Sequence, residues 1–256
     1  MRDLYSPDMK DIWRRVFISL TRGADMGQVL VKALLIALLS TLIALPYFLY
    51  LMFVVSGELR FFPGEYQFWG LLFTELFILF FICFLSALVG LSFSKKMELP
   101  GFGDPKHLIR SVPYLFVIGV AMVAISYYLF DRHFFKISPV SYPKDILYLV
   151  LLPCKEAFTD EIILRFCLVT LCVGLSKHKG VGIVLASIIA SFFTLKYFHF
   201  IGIPFTLNYL FATRILLSFF ANLLLGYLFV SRGLYFSMAL KFFLGMKYIV
   251  VLRMLG

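Results

Sequence analysis

Asp160, Glu161 and Arg165 stand inside a segment apolar enough to cross a membrane, LLPCKEAFTDEIILRFCLVTLCVGL. A charge at bilayer depth is costly unless it is paired or hydrated, so charged residues there mark function or tight pairing. On a helix, Glu161 and Arg165 share a face as an i,i+4 pair. The adjacent Asp160 and Glu161 project about 100° apart and cannot serve one point equally. The next hydrophobic span carries His199 at its far end, three residues after Lys196. A carboxylate oriented by an arginine, with a histidine on a neighbouring helix, has the makings of a general base that activates water. The opposing reading is a set of interhelical ion pairs that fixes a bundle. Carboxylates at 156, 160 and 161 would then neutralise cations at 165, 196, 214 and 241. Glu156 and Asp160 are like charges at i,i+4 and repel on one helix if both are ionised. Glu75 lies alone in the second span, and Lys32 is close enough to a span start to snorkel.

The elements that must position these residues are membrane helices. The chain has 256 residues, of which 62% are hydrophobic, and a mean hydropathy of +0.95. A soluble domain is closer to half apolar. The apolar runs are roughly 20 residues or longer, as a helix spanning about 30 Å of hydrocarbon requires. Barrel strands would be short and alternating. The expected fold class is therefore all-α, a polytopic membrane bundle. Spans are expected at about 29–55, 68–93, 113–130, 145–175, 180–200, 208–230 and 234–254. The fourth is too long for one simple crossing, and Pro153 could kink or split it, so the expected count is seven to eight. Residues 8–22 place Met9, Ile12, Trp13, Val16, Phe17 and Leu20 on one helical face, as in a helix lying at the membrane interface.

The first 27 residues are polar and amphipathic, so no cleaved signal segment is expected. They form one unit, an N-terminal cytoplasmic segment, and residues 28–256 form the membrane domain. Net charge is +10. Juxtamembrane Lys and Arg that set topology and meet anionic lipid account for it, and nucleic acid is not an expected partner. With the N-terminus inside, twelve basic residues fall on the cytoplasmic side, from Arg2 to Arg232, against five (Arg60, Arg132, Lys136, Lys144 and Arg253) on the other. That imbalance favours an integral membrane protein with a cytoplasmic N-terminus. The four cysteines all lie in apolar spans and match no zinc spacing, so neither a disulfide framework nor a metal is expected. No cofactor is expected either. There is no internal repeat or inverted pair of broken helices, which argues against a secondary transporter.

The motifs resemble those of the CPBP group of intramembrane endopeptidases, the type II CAAX prenyl protease and bacteriocin-processing (Abi) family. The family's E-E-x-x-x-R reads Asp160-Glu161-Ile162-Ile163-Leu164-Arg165 here. Its F-x-x-x-H reads Leu195-Lys196-Tyr197-Phe198-His199. Its H-x-x-x-N has Lys241 in the histidine position and Gly245 in the asparagine position. Residues 222–240, NLLLGYLFVSRGLYFSMAL, also resemble the run into the family's last catalytic helix. The similarity covers about residues 145–250. The resemblance implies Glu161 as base, Arg165 as its orienter, His199 as its partner and Asp160 beside them, with Lys241 at the oxyanion position. Lys241 could donate to an oxyanion, or lock onto Glu161 and silence it.

Two functions follow as expectations. One is a membrane endopeptidase that cuts a membrane-embedded or lipid-modified peptide or protein near the interface. The other is a non-catalytic relative that binds a membrane peptide or protein partner in the old cleft as an accessory subunit.

Overall fold

The computed structural model describes residues 26–59, 66–137, 145–200 and 209–255. The amphipathic stretch at 8–22 lies outside the described residues. The helices are α1 (Met26–Leu59), α2 (Tyr66–Ser94), α3 (Pro105–Ser126), α4 (Arg132–Ile137), α5 (Ile146–Glu161), α6 (Thr170–Ser176), α7 (Lys179–Phe200), α8 (Tyr209–Arg232), α9 (Leu234–Gly245) and α10 (Lys247–Leu255). A π-helical turn, Tyr127–Asp131, joins α3 to α4, and a longer π-helical stretch, Ile162–Val169, joins α5 to α6. No strand occurs among the described residues.

Among the described residues, five helices are long and apolar enough to cross a membrane: Met26–Met52, Gln67–Ser94, Pro105–Ile137, Tyr209–Arg232 and Leu234–Val251. The run from Ile146 to Ser176 is continuous helix, but its five charges between Lys155 and Arg165 keep it out of that set. The apolar part of α7, Lys179–Phe193, is shorter. Pro153 neither ends nor splits α5, and the chain stays helical through the motif to Ser176. Large apolar side chains such as Phe73, Phe77, Phe192 and Phe220 cover the outside, the surface that helices present to lipid.

Helix starts are set by caps. Asp104 accepts a hydrogen bond from the Lys106 N–H at 2.9 Å ahead of Pro105. Asp145 accepts one from the Leu147 N–H at 2.8 Å. In each case the side chain satisfies an N–H that has no partner within the helix. At one end of the bundle the 98–104 loop docks on the α8–α9 junction, where Leu234 N–H donates to the Gly101 carbonyl and Tyr235 N–H to that of Phe102. Gly103 and Gly233 both have positive φ, +81° and +105°; a Cβ on Gly103 would overlap the Arg232 carbonyl and one on Gly233 would overlap the Gly103 backbone, so glycine is needed at both.

The core lies around the π-helical stretch. Ile162, Phe166 and Val169 pack with Leu99, Phe229 and Met238. Phe166 lies so close to Gly90 of α2 that a Cβ there would overlap its ring. Helices packing in lipid depend on such small residues for close approach. The segment with the charged motif is thereby clamped between α2, α7 and α9.

Candidate functional site

Each carboxylate of the motif region has its own environment. Glu161 ends α5 and is fully buried, and Arg165, one turn on, is 2% exposed. Arg165 Nη2 lies 3.4 Å from Glu161 Oε1 and donates a 2.7 Å hydrogen bond to Asn222 Oδ1 of α8. Asn222 in turn donates to the Ser218 carbonyl at 2.8 Å. Arg165 therefore ties the π-helical stretch to α8. The Glu161 oxygens accept no hydrogen bond, so the arginine's charge is their principal support.

Asp160 and Glu156 belong to a second group. Lys241 Nζ of α9 sits 3.2 Å from Glu156 Oε2 and 3.8 Å from Asp160 Oδ2. Lys155 Nζ reaches Asp160 Oδ1 at 3.5 Å, and Thr159 Oγ donates to the same oxygen at 3.3 Å. The expected repulsion between Glu156 and Asp160 is offset by the lysine placed between them. Lys241 thus engages Glu156 and Asp160, and Glu161 is left to Arg165.

Gly245 stands where the family pattern has asparagine. A Cβ there would meet Pro153 Cβ at 2.7 Å. This position is a backbone contact between α9 and α5 with no room for a longer side chain. Pro153 is the surface on which α9 rests.

A cavity of about 200 Å³ opens between α3, α5, α8 and α9, with Glu156, Arg214, Ser218, Asn222, Lys241 and Lys247 among its lining residues. Among the described residues the carboxylate lining it is Glu156; Glu161 is buried behind its wall. Lys247 Nζ lies 3.6 Å from Asp131 Oδ1, and Asp131 is fully buried. Ser126 Oγ donates to Asp131 Oδ2 at 2.6 Å. That i,i+5 contact follows from the π-helical turn, which brings residues five apart onto one face.

Of the residues expected to carry chemistry, the structure brings Glu161 to Arg165, and Asp160 to Lys241. His199 lies near the end of α7, and its side chain is outside the described part. Sequence reasoning missed Glu156 as the cavity carboxylate, Asn222 as the acceptor for Arg165, and the Asp131–Lys247 pair. The Asp131 carboxylate near the end of an apolar span was the available signal for that pair. Among the described residues no three His, Cys, Asp or Glu side chains converge as a metal site requires. No protein-family model, curated protein or solved structure matches the chain, so the CPBP resemblance rests on the residues of its motifs.

Proposed function

We propose that this is an integral membrane protein whose charged cavity binds a ligand and does not cut a peptide bond, in the manner of a catalytically retired CPBP relative. One observation carries the reading: Lys241, in the position of the family's third-motif histidine, is ion-paired to Glu156 and Asp160 across the cavity wall. A general base needs a carboxylate or imidazole free to take a proton from water. An ammonium held between two carboxylates favours their ionised, occupied state. The asparagine position supports the same reading, because Gly245 has no space for an oxyanion donor. The endopeptidase reading, with Glu161 as base, Arg165 and Asp160 beside it and His199 as partner, places the base behind the cavity wall and against an arginine.

In this reading Ile146–Ser176 and Lys179–Phe200 also cross, for seven crossings with the N-terminus cytoplasmic. The 98–104 loop, the start of α7 and the α8–α9 junction then share the cytoplasmic side. Their mutual packing supports this, since Lys179 Nζ also reaches the Glu98 carbonyl at 3.5 Å. The test is a membrane-wide comparison of protein termini between cells with the wild-type chain and cells with Asp160→Asn or Glu161→Gln. Identical termini are expected.

A further inference from the structure

The charges buried around the cavity do not cancel. Lys155, Arg165, Arg214, Lys241 and Lys247 are matched against Asp131, Glu156, Asp160 and Glu161. Lys155 and Lys241 take Glu156 and Asp160, Arg165 takes Glu161, and Lys247 takes Asp131. Among the described residues, Arg214 is left over. Its guanidinium lies 5.3 Å from the Phe130 ring centroid, and its Nε is buried without a hydrogen-bond partner. Arg214 also lies close enough to Lys247 for the two cations to repel. Two adjacent cations on one cavity wall, of which Lys247 alone has a carboxylate partner among the described residues, call for an anion.

A second cavity, of about 250 Å³, lies beside the first, between α3 and the α9–α10 corner. Its wall is apolar and includes Phe116, Val120, Phe243, Met246 and Val250. Val123 lines both cavities. The charged chamber and the apolar groove are therefore neighbours that share the Val123 wall. Arg214 is five residues into α8, about 8 Å along its axis, and Asp131 is six residues from the end of α4. Both are near the ends of their helices that meet one membrane face, at a depth a headgroup and a snorkelling arginine can share.

We infer that the two cavities together bind an anionic phospholipid. Its phosphate would lie against Arg214 and Lys247 in the chamber they line, and an acyl chain would lie in the groove past Val123. Arg suits this role because its planar fork matches phosphate oxygens. The inference rests on the binding reading of the cavity and names its ligand class.

The test is native mass spectrometry of the full chain in detergent, with phosphatidylglycerol, phosphatidylcholine and inorganic phosphate as separate probes. Wild-type protein should retain phosphatidylglycerol in preference to phosphatidylcholine. Arg214→Gln should weaken that retention roughly ten- to hundredfold, the worth of a hydrogen bond to a charged group. Val120→Trp, which fills the groove from a half-exposed position, should weaken it with every charge intact and guards against misfolding of the arginine variant. Arg232→Gln, at the other end of α8, should leave it unchanged. Equal retention by wild type and Arg214→Gln, or no preference between the two lipids, would overturn the site. Displacement by inorganic phosphate together with no effect of Val120→Trp would overturn the lipid as ligand in favour of free phosphate. Lost lipid retention with unchanged protein termini counts against this inference alone, whereas a wild-type-dependent terminus counts against the binding reading itself.

Discussion

Lys241 Nζ lies 3.2 Å from Glu156 Oε2, across the contact between α9 and α5. The pair joins two helices that also meet closely where Gly245 lies on Pro153, one turn further along α9. Charge and close packing thus fix the same interface. Lys241 holds the bundle together through Glu156 and Asp160, while Glu161 is paired with Arg165.

Lys241→Met should destabilise the protein, because it leaves Glu156 and Asp160 as like charges with Lys155 as their remaining cation. Breaking a fully buried pair costs roughly 3–5 kcal/mol. Here the side chains are about a quarter exposed, so about 2 kcal/mol is expected after allowing for solvent screening. Thermal unfolding in detergent reads it. Adding Glu156→Gln to Lys241→Met should recover part of the loss, and a double variant less stable than Lys241→Met would refute the pairing.

Gly245→Asn should not restore a working site. Its Cβ would meet Pro153 at 2.7 Å, and overpacking of this kind costs about 1–3 kcal/mol. A drop in melting temperature for Gly245→Asn, with a smaller drop for Gly245→Ala, is the expected result. An unchanged melting temperature for both would mean that α9 does not rest on Pro153.

Asn222→Leu should cost about 1.5–3 kcal/mol, the range for a hydrogen bond to a charged group. It removes the 2.7 Å acceptor of a nearly fully buried Arg165. Hydrogen exchange should rise along Ile162–Val169 and α8, the two segments the bond connects. Exchange confined to α8 would show that Arg165 is held by Glu161 alone.

The helical class is legible from long apolar runs, and the Glu161–Arg165 contact from i,i+4 spacing, because both depend on local periodicity. The rest depends on register between helices. Lys241 and Glu156 are far apart in sequence, and only the depth at which α9 meets α5 decides that Lys241 reaches Glu156 and Asp160. The π-helical turns are illegible for a related reason. They shift facing from i,i+4 to i,i+5, and Ser126 and Asp131 meet only by that shift. In the sequence Arg214 reads as one more partner for the carboxylates, and its surplus emerges only once the other described charges of the cavity have been placed.

The most direct test of the central claim is quantitative mass spectrometry of protein termini in whole membranes at matched expression. Cells carrying wild-type chain are compared with cells carrying Asp160→Asn, and separately Glu161→Gln. The binding account predicts the same termini in all three, with the protein folded and present in each. A mature terminus that forms with wild type and disappears with either variant would contradict it and make the carboxylates of this site hydrolytic.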